Sequence, residues 1–386
     1  MSDSNRVGIR YIKEVTAGTT PSTPTLEVLP FTGSSDLGFT PETTTSSIIR
    51  SDRQISDLVQ VNGSVAGGFD TELIAGTALD SLLQGVMFSA VTLASQSEVA
   101  TITAASITVT DGAGNTVLAA TGIGTGVVVG DVMKVEVGSE TAFGVVSVAT
   151  ANSITIVGAM TASGSVTATV TILPSISNGV EQAYYTLERT YRTGESGVFY
   201  EYLRGMSPGT FSVSASASSI VESSFGFTGL TQEFNSQLSA TRPAATTFTP
   251  YNAASNVATI SIGGETLSSN FVMEANLEVE NNLRERTALG TLGATSIGAG
   301  EFSVTGGINT YFNDSSLVAQ VTTGTDTSLT IGFQSGDEEI IFILPRVKFT
   351  EGMADVSGSN EDVMCNLGFQ ALASSSLKTM YIAKNA

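Results

Sequence analysis

The chain has 386 residues with 16 Lys+Arg, 36 Asp+Glu and no His, a formal charge of −20. The lack of imidazole excludes Ser-His-Asp and Cys-His catalysis and histidine-held zinc or copper. One Cys excludes an intrachain disulfide, and the acidic balance argues against a protein that grips a phosphate backbone. Only 13% of residues are charged, against about 25% in ordinary domains, while 41% are hydrophobic, so the chain can bury a core and is not disordered by charge.

In chain order, residues 1–25 read as an N-terminal arm. They lack the apolar run of a secretory signal, and no stretch approaches the roughly 18 consecutive apolar residues of a membrane-spanning helix. The expectation is a protein made in a cytoplasm, with no membrane partner. Residues 26–94 then open a first β domain. At its end Thr77 and Asp80 form a candidate capping box, and Leu79, Leu82, Leu83 and Val86 space out the buried stripe of a helix of about three turns.

Residues 95–173 have a different texture. Short alternating runs such as Ile107-Thr108-Val109-Thr110 and Met133-Lys134-Val135-Glu136-Val137 are separated by Asp111-Gly112 and Gly130-Asp131. This is the pattern of a small β-barrel or sandwich inserted at a loop. Gly122, Gly124 and Gly126 do not fit a phosphate-binding loop, because no Gly-Lys-Ser/Thr and no helix signal follow them. The first domain resumes over 174–235, residues 236–256 with Pro243 and Pro250 read as a linker, and 257–386 form a second domain with a C-terminal arm.

The two domains look alike. Val61-Asn62-Gly63-Ser64-Val65 can be laid on Val304-Thr305-Gly306-Gly307-Ile308, and Leu187-Glu188-Arg189 on Leu344-Pro345-Arg346. Ser224-Phe225-Gly226-Phe227 likewise lies on Asn366-Leu367-Gly368-Phe369. Three matches in one order argue for duplication. The second copy's helix, around 314–320, is expected to be shorter than the first.

No enzymatic or cofactor-binding constellation emerges. Asp337-Glu338-Glu339 reads as a solvated turn, and Cys365 as a buried thiol in a strand. The informative feature is the strand starting at Phe271. Met273, Ala275, Leu277 and Val279 share one face, and Glu274, Asn276, Glu278 and Glu280 the other. One face packs while the other carries carboxylates into water. Asp70, Glu72 and Asp314, at the ends of the two V-x-G strands, are further candidates for that wet acidic surface.

These residues give a family resemblance. Thr40-Pro41-Glu42, Ser47-Ile48-Ile49-Arg50-Ser51-Asp52-Arg53 and Val61-Asn62-Gly63-Ser64-Val65 carry it in the first half. Gly300-Glu301-Phe302-Ser303-Val304, Ile343-Leu344-Pro345-Arg346 and Leu367-Gly368-Phe369-Gln370 carry it in the second. Together they resemble the tail tube (major tail) proteins of long-tailed, non-contractile bacteriophages.

The resemblance implies an all-β fold of two tandem antiparallel β-sandwiches, each with a short flanking helix. It implies a structural virion protein that assembles in the host cytoplasm with itself, as a trimeric ring of pseudo-sixfold symmetry stacked into a tube. Implied partners are the tape measure protein, the tail-end proteins and genomic DNA passing without specific binding. Glu274, Glu278, Glu280, Asp70, Glu72 and Asp314 become candidates for the lumen. A secreted or surface-displayed β-rich adhesin is the alternative that composition alone leaves open.

Overall fold

The computed structural model describes residues 4–385 apart from 34, 92, 94–98, 113, 159, 161, 194–196, 245–246, 268–271, 313–315, 356–360 and 375. Alternation of apolar with small polar residues makes strands of most of the chain. The first half contributes β1 (Gly8–Lys13), β2 (Glu27–Leu29), β3 (Gly38–Thr45), β4 (Leu58–Glu72) and helix α1 (Asp80–Val86). Next come β5 (Val99–Gly112), β6 (Asn115–Ala119), β7 (Val132–Val137), β8 (Glu140–Thr150), β9 (Ser153–Val157) and β10 (Gly164–Leu173). They close into a barrel in the order β10-β5-β6-β9-β8-β7, in which Val99 at the entrance lies opposite Ile172 near the exit.

The first half is completed by β11 (Ser175–Ser177), β12 (Tyr185–Thr193), β13 (Gly197–Ser216), β14 (Glu222–Gly229) and β15 (Thr231–Asn235). The second half holds β16 (Val257–Ile262), β17 (Glu265–Thr266), β18 (Val272–Glu280), β19 (Arg284–Arg286), β20 (Ser296–Gly298) and β21 (Ser303–Tyr311). Helix α2 (Ser316–Thr323) follows, then β22 (Thr327–Ser335), β23 (Glu338–Phe349), β24 (Met353–Asp355), β25 (Met364–Ala371) and β26 (Tyr381–Asn385). Residues 8–13, expected within an arm, form a strand on β12 with Ile9 and Tyr11 in the core. The C-terminal β26 likewise pairs with β23 and β11.

The two halves share one wiring. The pairings β1–β2, β1–β12, β12–β13, β3–β4, β4–β14, β13–β14 and β13–β15 reappear as β16–β17, β16–β22, β22–β23, β18–β21, β21–β25, β23–β25 and β23–β26. Even a bulge recurs, between Tyr185 and Leu187 and again between Thr327 and Leu329.

This wiring corrects the sequence overlay. Gly226 lies opposite Gly68 and Gly368 opposite Gly307, so Val65-Ala66-Gly67-Gly68-Phe69, not the stretch from Val61, matches Val304-Thr305-Gly306-Gly307-Ile308. Small details agree. The Asp36 side chain accepts a hydrogen bond from the Gly68 amide, and Asn276 accepts one from Gly307. Thr71 and Thr310, both buried, donate to the next residue's carbonyl at 3.2 and 2.8 Å. A Cβ on Gly67 would meet the Asp36 carbonyl at 2.6 Å, and one on Gly306 the Asn276 carbonyl at 2.2 Å. Leu187 and Leu344, in contrast, sit on strands that do not correspond, so their likeness is local.

The helices differ from expectation. Leu79, not Thr77, is the N-cap of α1, and its apolar side chain cannot cap the helix; Asp80 is bound by Lys384 of β26. At seven residues α1 is no longer than α2 at eight. The stripe Leu79, Leu82, Leu83 and Val86 is buried as expected.

Each half is a two-layer sandwich. The layers β3-β4-β14-β13 and β18-β21-β25 are joined edge to edge where the C-terminal part of β13 pairs with β18, making one continuous sheet. The main core lies beneath it: Phe69, Phe225, Leu277, Ile308 and Phe369 from that sheet meet Tyr11, Leu187, Leu329 and Phe342 from the other layer. In the second half the outer layer is buried on both sides. Ile340, Phe342 and Leu344 face the core, while Ile341 and Ile343 pack on Val132, Phe143, Val145 and Leu173 of the barrel. Glu339, expected in a solvated turn, belongs to β23 and is buried against Lys134 of the barrel at 2.9 Å.

Candidate functional site

Four of the six predicted carboxylates converge on the outward face of the continuous sheet, with a fifth at its margin. On β18, Ala275, Leu277 and Val279 are buried, which turns Asn276, Glu278 and Glu280 into solvent; Glu274 is half-buried. On β4, Phe69 and Thr71 point inward, so Asp70 is exposed and Glu72 half-buried beside it. Asp314 and Phe271 lie outside the described residues.

The register lines these side chains up in rows across the strands. Asp70 of β4 is opposite Ser224 of β14, itself opposite Ser212 of β13, then Glu278 of β18, Thr305 of β21 and Gln370 of β25. The adjoining row runs Glu72, Glu222, Ser214, Asn276, Gly307 and Gly368. Another carries Gly68, Gly226, Thr210, Glu280 and Ser303. The Ser212 and Ser224 hydroxyls bond each other at 2.7 Å. Where the glycines carry no side chain the face dips into a shallow depression of about 580 Å³, rimmed by Asp36, Asp70 and Glu280.

Sequence reasoning missed Glu222. It alternates with buried Val221 and Ser223 and stands directly opposite Glu72. The signal was present in Glu222-Ser223-Ser224-Phe225-Gly226-Phe227, a strand read only for its Gly-Phe repeat. Two carboxylates directly opposite cost stability in an antiparallel pair. Across the outward positions of β4 from Ser64 to Glu72, and of β14, β18, β21, β25 and the part of β13 paired with β18, there is no Lys or Arg; the first cation met beyond β25 is Lys348 of β23.

Chemically this surface has no nucleophile–base pair. Among the described residues no cluster of His, Cys, Asp and Glu could hold a metal ion. It offers hydroxyls, amides, bare backbone and fixed negative charge, a surface that repels polyanions and gives them nothing to grip. The barrel sits on the opposite side of the molecule, beyond the outer layer.

No curated protein matches the chain. A family model described as phage tail tube protein matches residues 4–371. With that match spanning nearly all of an all-β chain whose halves share one sandwich wiring, this protein belongs to the phage tail tube family and is a structural component of the virion tail.

Proposed function

We propose that copies of this chain close into rings that stack into a hollow tube, with the acidic sheet face lining the bore through which DNA passes. The observation that carries this reading is the continuity of that face: one sheet crosses both halves, its wall is carboxylate, hydroxyl and glycine, and its strands carry no outward cation. A duplex moving through such a bore meets like charge across about a Debye length, roughly 8 Å at physiological salt. Between β4 and β25 it finds no Lys or Arg to hold it.

Residues 26–94 with 174–235 act as one tube fold and 257–386 as the second, so three chains supply the six folds of a ring. The barrel at 95–173, on the far side of the sandwich, decorates the exterior. Assembly takes place in the host cytoplasm on the tape measure protein and between tail-end proteins.

The test is the triple variant Glu274→Lys, Glu278→Lys, Glu280→Lys. Tubes should still form, because Glu278 and Glu280 are exposed and Glu274 is only half-buried, while DNA ejection slows in a salt-dependent way. Unchanged ejection and infectivity in tails shown to carry the variant would place the face outside the bore.

A further inference from the structure

Where the barrel seals the second half, a polar cluster ends the apolar row. On β23 and β26 that row runs Ile343 opposite Tyr381, Ile341 opposite Ala383 and then Glu339 opposite Asn385. Glu339 is 3% exposed. Its Oε1 accepts a hydrogen bond from Lys134 Nζ of β7 at 2.9 Å, and its Oε2 accepts one from Asn385 Nδ2 at 3.3 Å. One buried carboxylate thus holds an amine on one oxygen and a carboxamide on the other. Lys134 Nζ also lies 5.9 Å from the centre of the Phe143 ring, and its side chain is 14% exposed.

A neutral lysine amine is a nucleophile, a carboxamide carbon accepts one, and a carboxyl group between them can move protons both ways. An ion pair uses only Lys134 and Glu339; Asn385 adds an acyl group beside them. We propose that Lys134 and Asn385 become joined by an isopeptide bond, formed by the folded chain itself with Glu339 as proton carrier.

The step balances without any co-reactant. Glu339 takes a proton from the Lys134 ammonium, and the free Nζ attacks Asn385 Cγ to form the new C–N bond. As the Cγ–Nδ2 bond breaks, Glu339 gives its proton to Nδ2 and takes the surplus proton from Nζ. Ammonia leaves, carries that last proton away as ammonium and restores the carboxylate. Nothing is oxidised or reduced.

Burial pulls the Lys134 ammonium down, and the Glu339 and Glu136 carboxylates raise it by more. The free amine is therefore the minor form, and the bond forms slowly, after folding has replaced a bimolecular encounter with fixed neighbours. It fastens β7 of the barrel to β26, the last strand, at the rim of the face that the barrel covers.

Mass spectrometry of the unaltered full-length chain tests this. Held folded for days, the chain should become lighter by one ammonia, about 17 Da. Asn-Gly pairs such as Asn62-Gly63 can also lose ammonia, by cyclising onto the backbone, so the reading that counts is a branched peptide. Cleavage after glutamate should release 99–136 joined to 362–386 through Lys134 and Asn385. Lys134→Arg keeps the ion pair but offers no attacking amine, and Asn385→Ala removes the acyl group; neither should give that peptide. Glu339→Gln should slow its appearance roughly a hundredfold or more. A folded unaltered chain that yields only the two separate peptides would overturn the bond and leave an ion pair in its place. Equal rates in Glu339→Gln and the unaltered chain would overturn the role of Glu339. If Glu339→Gln does not fold, the unaltered chain and Lys134→Arg decide the matter between them.

Discussion

The two halves share a framework and differ in how the outer layer is closed. In the second half the outward positions of β23 and β26 are Ile341, Ile343, Tyr381 and Ala383, sealed by the barrel. In the first half the positions matching Ile341 and Ile343 are Tyr200 and Tyr202, and no barrel covers them. Arg242, from the stretch expected as a linker, lies over the Tyr200 ring at 5.6 Å and grips buried Glu188 with Nε at 2.9 Å. Arg204 lies over Tyr202 in the same way and pairs with Glu233; burial pushes the Tyr202 phenol up to about 12. One fold can therefore tolerate either an oily or a polar outer face, provided that whatever covers it matches.

That difference can be broken most severely by deleting residues 95–173. Ile341 and Ile343 would be bared, with a loss of about 3–6 kcal/mol for two buried isoleucines, and the soluble fraction should fall sharply. Adding Ile341→Thr and Ile343→Thr, which keep strand propensity, should restore solubility and permit assembly. A soluble single deletion with unchanged thermal unfolding would show that the barrel does not seal this face.

A smaller effect is expected in the other half. Glu188→Ala leaves Arg242, whose side chain is 14% exposed, without its partner and should cost about 3–5 kcal/mol by denaturant unfolding. Replacing both, as Glu188→Leu with Arg242→Met, should recover most of that loss. If the double variant is as unstable as the single one, the pair is not what closes this face.

The least damaging changes probe what the halves have in common. Gly67→Ala and Gly306→Ala each force a methyl against the preceding strand's carbonyl, at about 1–3 kcal/mol apiece. Gly67 carries the added burden of a φ of 126°, so its loss should be the larger. Thermal unfolding in which Gly306→Ala is silent would mean that the close approach is not a shared requirement.

Much of this was legible in the residues. The acidic strand could be read because every second position of β18 from Ala275 to Glu280 switches between apolar and polar. The α1 stripe was readable for the same reason, periodicity. The register of the repeat was not, since Val-x-Gly occurs twice on β4, at Val61 and Val65, and only the pairing with β14 selects between them. Glu339 was misjudged because its partner Lys134 lies 205 residues away. Asp80 was misread as a capping residue because nothing local announces Lys384. Long-range ion pairs leave no mark on local pattern.

The barrel's first and last strands are neighbours, with Val99 opposite Ile172. An open loop of that length would burden the meeting of α1 and β12 with closure entropy, roughly 2 kcal/mol more than a tight connection. Because every pairing inside the barrel joins its own strands, it can form without waiting for distant sequence, and its formation draws the two ends together. The long excursion then counts kinetically as a short one. Pairings such as β1 with β12, which span the whole insertion, become reachable at the pace of a chain without it.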